Sequence, residues 1–242
     1  MGRVAVSFSG GVDSTVVLAA AVNMLPNDHV AVFADVPMLS QRQRNVAMAV
    51  AEELKANLVT VKLGWKDLQG VQKNTDERCY FCKRSMYSHL RRVASADGYD
   101  SCLDGENASD SVSDRPGRKA AAEFRIISPL KDLGIERSTV KIMFDDLRLK
   151  TGVQKETCMA TRLLPDVSFD DLDLLFVEEC EEIIRSISGV RQIRMRVRDG
   201  TAHLLTCPEE IPLLAANEKE LLLKLRRKGV CNINIDAEGY KE

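Results

Sequence analysis

Val4-Ala5-Val6-Ser7-Phe8-Ser9-Gly10-Gly11-Val12-Asp13-Ser14-Thr15 decides the fold of this chain. A short apolar run ends in Ser-Gly-Gly-x-Asp-Ser, and Val16-Val17-Leu18-Ala19-Ala20-Ala21 follows at once. The first run predicts a buried strand and the second a helix. Gly10 and Gly11 let the backbone turn tightly and approach an anion closely. The helix then offers unpaired N–H groups and the positive end of its dipole to phosphates. Ser9, Ser14 and Thr15 add hydroxyl donors.

The two commonest glycine loops are excluded. No Gly-Lys-Ser/Thr follows, and the G-x-G-x-x-G spacing is missing. A Gly-Gly turn between strand and helix can also be purely structural. With strand, loop and helix in register, however, Ser9, Gly10, Gly11, Val12, Asp13 and Ser14 are candidate nucleotide contacts. This segment resembles the PP-loop of ATP pyrophosphatases. That family cleaves ATP between its alpha and beta phosphates and adenylylates an oxygen of the substrate.

Outward from the loop, His29–Asp35 and Asn57–Leu63 read as further buried strands, with a helix over residues 40–55 between them. A helix from Cys79 to about Ala96 and a short strand over 100–105 continue the alternation. The fold class is therefore α/β, a doubly wound, Rossmann-like parallel sheet. Nucleotides bind at the carboxyl ends of such strands, where both the loop and Asp35 fall. Residues 106–118 form a long polar loop, suited to a substrate or metal lid. Helices are expected at 118–124 and Ser138–Thr151, the latter capped by Ser138.

The composition shifts near Pro165-Asp166. Residues 1–165 are expected to form the ATP-binding domain, and 166–242 a smaller α+β domain for substrate binding and oligomerisation. In the latter, Phe169–Ser188 reads as an acidic amphipathic helix. Two strands around Asp199-Gly200 read as a hairpin. One helix over 209–228 and a last strand near Ile233 follow.

A chain of 242 residues that is 45% hydrophobic and 29% charged can bury one good core, or one plus a small second domain. A net charge of −2 disfavours a nucleic-acid substrate. No run is long enough for a bilayer. Met1-Gly2-Arg3 leads straight into the first strand and leaves no room for a signal peptide, so a cytoplasmic location is expected. In that reducing setting seven cysteines suggest metal or catalysis rather than disulfides.

Cys79 and Cys82 are spaced to clasp one metal at a helix start. The helix dipole with Arg78, Lys83 and Arg84 favours anionic sulfur there. Cys158, in a loop before the second domain, is expected over the same cleft. Three thiolates without a fourth protein ligand suit an iron–sulfur cluster with one open iron. Structural zinc and a redox dithiol stay as alternatives. Cys102, Cys180, Cys207 and Cys231 read as small buried hydrophobes.

Asp13 and Asp35 are expected to face the nucleotide. Asp110 and Asp114 are candidate magnesium ligands, although each is equally at home in a solvated acidic loop. Arg194 and Arg196 alternate along a strand and project from one face, as a phosphate or carboxylate ligand would require. An ordinary exposed sheet face would look the same.

Three further segments carry a resemblance over nearly the whole chain. They are Asp76-Glu77-Arg78-Cys79-Tyr80-Phe81-Cys82-Lys83, then Asp104-Gly105-Glu106-Asn107-Ala108-Ser109-Asp110 running into Asp114-Arg115-Pro116-Gly117, and Cys158-Met159-Ala160-Thr161-Arg162. With Arg194-Met195-Arg196 they resemble the LarE family, ATP-dependent sulfur transferases of nickel-pincer cofactor biosynthesis. The resemblance implies adenylylation of a pyridinium biscarboxylate mononucleotide, then displacement of AMP by sulfur to give a thiocarboxylate. It implies catalytic roles for Cys158, Asp13 and Ser14. It also implies a [4Fe-4S] cluster on Cys79, Cys82 and Cys158, and magnesium with ATP. Arg194 and Arg196 would bind the substrate phosphate, with Arg115 and Glu182 also at the site, in a homo-oligomer, a hexamer by resemblance. Glu106 stands where Thr is common in that family. Lys155-Glu156-Thr157 lacks its usual Pro-Ser pair. Two rival readings are a PP-loop tRNA thiolation enzyme with an iron–sulfur cluster, and a non-enzymatic nucleotide-binding metal sensor.

Overall fold

The quoted run forms β1 (Val4–Phe8), the glycine turn, and then α1 (Val12–Met24). The structure, a computed structural model, describes residues 2–112, 116–153 and 156–240. It divides into two compact units. The first holds residues 1–72 and 76–156, and the second 73–75 and 157–242. The sequence places its composition shift later, near Pro165-Asp166. The excursion at 73–75 has a local cause within the second unit. Asn74 Nδ2 donates to the Leu164 carbonyl at 2.7 Å, and the Asn74 carbonyl accepts from the Asp166 amide at 3.1 Å.

In the first unit β2 (His29–Asp35), β3 (Leu58–Lys62) and β4 (Ser101–Leu103) join β1 in one all-parallel sheet, ordered β3-β2-β1-β4. Val4 pairs with His29 on one side and Ser101 on the other. The strand order reverses between β1 and β4. In open α/β sheets that reversal opens a crevice at the carboxyl ends of the two strands. The helices are α2 (Gln41–Glu53), α3 (Arg78–Ala96), α4 (Pro116–Glu123), the single turn α5 (Pro129–Asp132) and α6 (Arg137–Asp146).

The alternation of strand residues sorts these helices into two layers. Val6, Phe8, Ala31 and Phe33 pack toward α1, α2 and α6. Ala5, Val30, Val32 and Cys102 pack toward α3 and α4. The sheet is thus covered on both faces, as a doubly wound fold requires. Each fully buried large side chain, such as Phe8 or Leu18, contributes about 1.5–3 kcal/mol of apolar transfer energy.

Two local expectations are corrected. The sixth helix starts at Arg137 with Glu136 as its N-cap, so Ser138 does not cap it. It ends at Asp146, and Arg148 turns left-handed at φ 51°. The polar loop after β4 is partly ordered by a 3-10 turn over Ala108–Val112, and α4 already begins at Pro116. Proline is tolerated there because a first-turn N–H has no helical partner.

In the second unit α7 (Asp171–Ser188) starts on a capping box between Asp170 and Asp173. β5 (Arg194–Arg198) and β6 (Thr201–Leu205) are antiparallel, and β7 (Asn232–Ile235) adds parallel to β6. Asp199 and Gly200 both have positive φ, 48° and 72°, the geometry of a tight hairpin turn. The expected single helix over 209–228 is a 3-10 turn, α8 (Ile211–Ala216) and α9 (Glu218–Arg226), interrupted at Asn217. Ile184, Met195, Leu204, Leu214 and Leu221 fill this unit's core. No helix among the described residues is long and apolar enough to cross a membrane.

Candidate active site

The loop after β1 is closed by its own serines. Ser9 Oγ lies 3.0 Å from Ser14 Oγ and accepts from the Gly11 amide at 3.3 Å. Ser14 Oγ donates to the Gly11 carbonyl at 3.1 Å. Gly10 has φ +76°, and a methyl there would lie 2.7 Å from the Ala47 backbone. Gly11 is the N-cap of α1 and makes no side-chain cap. The amides of Val12, Asp13 and Ser14 therefore open the helix without intrahelical partners. Thr15 is fully buried, which corrects its expected place among the anion donors.

β4 brings a second loop against the first. Gly105 lies so close to α1 that an added methyl would stand 2.7 Å from the Ser14 amide nitrogen. Between the loops is a cavity of about 240 Å³, walled by Ser9, Gly11, Asp13, Ser14, Lys83, Asp104, Glu106, Asp110 and Arg118 among others. Asn107, fully buried, donates to Asp13 Oδ1 at 2.7 Å. Asp104 accepts from Tyr87 and Ser128, both at 2.7 Å. Burial, then the Asp104 charge, push the Tyr87 phenol pKa far up. A second cavity of about 150 Å³ shares Ser9 and Gly11 and has Leu39 and Val46 as apolar wall.

The carboxylates here are largely engaged. Glu106 pairs with Arg118 at 2.7 Å and Lys131 at 3.3 Å. Asp110 pairs with Arg137 at 3.0 Å. Asp35 sits at the end of β2 and accepts from Arg44 Nε at 2.6 Å. Among the described residues no three His, Cys, Asp or Glu side chains converge as metal ligands. Asp114 and Arg115 lie outside the described residues.

Cys79 and Cys82 fall in the first turns of α3, three residues apart and so on one face. Cys79 is exposed and Cys82 half-buried. Arg78 Nη2 is 3.8 Å from Cys79 Sγ. Arg84 instead faces Glu123 at 3.7 Å, and Lys83 walls the larger cavity. Cys158 belongs to the second unit. Cys102 and Cys180 are buried as expected, but Cys207 is half-buried and Cys231 exposed. Both sit outside regular strands, where the core does not cover them.

In the second unit Arg194 is only 7% exposed and stacks on the Tyr240 ring at 3.6 Å. Its Nε and Nη2 have no hydrogen-bond partner among the described residues. Arg196 donates to the Thr161 carbonyl at 3.2 Å. Burial, then the charges of Arg194, Arg162 and Arg198, hold its pKa below the usual guanidinium value. Like charges thus lie close together on this strand, with two buried guanidinium nitrogens of Arg194 unpaired. Glu182 points outward, 69% exposed, and faces Arg185 at 3.5 Å. Its neighbour Glu181 is the buried acid, 2% exposed and paired with Arg162 at 3.0 Å. Sequence reading missed Glu181. The available signal was phase, because Leu174, Val177, Glu181, Ile184 and Ser188 share the inward stripe of α7.

A strand, a glycine turn and an uncapped helix start facing an anion-sized cavity at a strand-order reversal define a nucleotide-binding α/β enzyme of the PP-loop kind. Residues 1–137 match the family described as thiamine biosynthesis protein (ThiI). The chain belongs to that family, as an ATP-using PP-loop sulfurtransferase. Over 241 residues it is 28% identical to pyridinium-3,5-bisthiocarboxylic acid mononucleotide synthase of Lactiplantibacillus plantarum, covering 99% of this chain and 87% of that one. An uncharacterised protein of Methanocaldococcus jannaschii is 28% identical over 241 residues, 99% of this chain and 91% of its own length. Another, from Synechocystis, is 29% identical over 242 residues, 99% and 90% of the two chains.

Proposed function

We propose that this chain adenylylates a carboxylate of a pyridinium biscarboxylate mononucleotide and converts it to a thiocarboxylate. The observation that carries this reading is Arg194, buried with two unpaired N–H groups beside Arg196. Leaving such donors buried and unpaired costs about 1–3 kcal/mol. A substrate phosphate would satisfy them. The similarity to the L. plantarum synthase, which extends through this unit, supports the choice of substrate.

In the first step a carboxylate oxygen attacks the alpha phosphorus of ATP, and the bond to the beta phosphate's bridging oxygen breaks. Pyrophosphate leaves. The first-turn amides of α1 and the Ser9 and Ser14 hydroxyls hold the phosphate oxygens, and Asn107 fixes Asp13 beside them. In the second step sulfur attacks the acyl carbon, the C–O bond to AMP breaks, and AMP takes the electron pair. Magnesium would accompany ATP, with Asp13 and Asp110 as its candidate carboxylates. Cys79, Cys82 and Cys158 would hold a [4Fe-4S] cluster, which when bound supplies the nucleophilic sulfur. The donor chemistry fits, since all three are soft sulfur ligands and Cys79 and Cys82 lie one helical turn apart, with Cys79 exposed. Asp35, Arg115 and Glu182 remain candidate contacts for nucleotide or substrate. The active form is a homo-oligomer, a reading supported by the exposed Leu172 and Leu175 on α7.

The test is anaerobic turnover with ATP and the pyridinium dicarboxylate mononucleotide, followed by mass spectrometry of product and protein. Thiolated product with Cys158 intact over several turnovers, and iron bound, supports the reading. Loss of one sulfur from Cys158 per turnover replaces the cluster route with a sacrificial one. No thiolated nucleotide, with tRNA thiolated instead, refutes it.

A further inference from the structure

Glu181 lies on α7, yet besides Arg185 of the same helix its carboxylate meets two other parts of the second unit. Oε1 accepts from Arg162 Nε at 3.0 Å and from the Met195 amide at 3.0 Å. Oε2 accepts from Arg185 Nη2 at 3.2 Å. Arg162 and Glu181 are each 2% exposed at the side chain, so neither exchanges its partner for water.

Arg162 passes this constraint to the cysteine. Its Nη1 donates to the Thr157 carbonyl at 2.9 Å, the Cys158 carbonyl at 3.3 Å and Thr161 Oγ1 at 3.1 Å. The Cys158 carbonyl also accepts from the Thr161 amide at 2.9 Å and the Thr161 hydroxyl at 2.7 Å. Three donors on one carbonyl fix the peptide that follows Cys158, and with it the direction of the Cα–Cβ bond. Met195, the other partner of Oε1, stands between Arg194 and Arg196 on β5.

We propose that Glu181 is a positioning residue that holds the Cys158 turn in register with the arginine strand. One carboxylate oxygen joins the turn that carries the sulfur ligand to the strand that carries the anion-binding guanidiniums. A buried acid shared by two arginines and a strand amide is costly to desolvate, and an apolar side chain would pack the same space without that cost. What the acid adds is a fixed distance between two functional elements. Arg196, donating to the Thr161 carbonyl at 3.2 Å, is a second tie between them. This inference rests on the roles given above to Cys158, Arg194 and Arg196.

The test compares the full-length chain with Glu181→Gln. The amide keeps the shape and one acceptor, but its NH2 meets Arg185 donor to donor. Amide hydrogen exchange over residues 157–162 is expected to quicken at least about tenfold, while the α7 core amides stay within about twofold. In single turnover, thiolation should slow by about tenfold or more. ATP affinity, measured on the same sample, reports that the first unit is intact. Unchanged exchange over 157–162 overturns the proposal. So does exchange that quickens equally along α7, because the carboxylate would then be a core prop only. If the unaltered chain makes no thiolated nucleotide, the functional reading falls by itself, and the exchange comparison still decides the role of Glu181.

Discussion

Replacing Gly105 by alanine tests the nucleotide site through its tightest contact. The new methyl would stand 2.7 Å from the Ser14 amide nitrogen and 2.9 Å from the Asp13 carbonyl carbon. Carbon atoms rest about 3.5–4.0 Å apart, so the two loops must separate by roughly 1 Å. Neither side yields easily. Ser14 through Ala19 are buried along α1, and Asp104, next to Gly105, is anchored by Tyr87 and Ser128. Overpacking of this kind costs about 1–3 kcal/mol. The displaced atoms include the first-turn amides that would hold ATP, and a 1 Å misplacement of reacting groups costs about 10²-fold in rate. Gly105→Ala should therefore lose about 1–3 kcal/mol in urea unfolding and about 10²-fold in ATP-dependent pyrophosphate release with the mononucleotide acceptor. The decisive assay is ATP affinity by calorimetry beside the unfolding curve. A variant that binds ATP within about twofold of the native chain and unfolds within about 0.5 kcal/mol of it would refute the close approach of the two loops.

Two further outcomes follow from titratable groups. Burial alone would raise the Glu210 carboxyl, but hydrogen bonds from the Arg191 side chain and backbone, the Gln192 amide and Thr206 outweigh it and hold the pKa below 4.5. Its stabilising contribution is complete above the ordinary carboxylate range and is lost as pH falls through the lowered folded value. Glu210→Gln should destabilise the second unit at neutral pH and flatten the acid limb of its stability curve. An acid limb as steep as the native one in urea titrations would contradict this. Burial pushes the Cys180 thiol up to about 11 and raises Cys102 as well. Alkylation of the native, metal-free chain near neutral pH, mapped by mass spectrometry, should spare both and modify the exposed Cys79 and Cys231 first. Early labelling of Cys180 would mean that the second core opens more readily than its packing implies.

The first unit was legible because its signals are local and continuous. Val4–Phe8 and His29–Asp35 are apolar runs buried on both faces, and such runs announce a parallel sheet whatever surrounds them. The glycine turn sits between a strand and a helix that each identify themselves. The partners of the site acids were not legible. Glu106 is neutralised by Arg118 and Lys131, and Asp13 is held by Asn107. Asp13 meets Asn107 because β4 pairs beside β1, and Glu106 meets Arg118 and Lys131 because α4 and α5 fold back on the loop after β4, neither of which leaves a periodic trace. The helix at 137–146 was misread at both ends. Its N-cap Glu136 makes no side-chain cap, and its C-cap Leu147 is followed by a left-handed Arg148, neither of which residue type alone signals.

The paired acids of α7 show the same division at the scale of one residue. Glu181 and Glu182 are chemically identical, and the resemblance pointed to the second. Successive residues on a helix differ by about 100° in direction. That rotation sends Glu182 into solvent and leaves Glu181 facing Arg162 and the Met195 amide. The inward one must be satisfied on both oxygens, because an unpaired carboxylate there would be strongly destabilising. The outward one is free to meet a ligand as the resemblance suggests. The two acids therefore have separable consequences. Loss of Glu182 should leave the Cys158 turn intact and act only through what binds there, whereas loss of Glu181 should act on the turn before any ligand arrives.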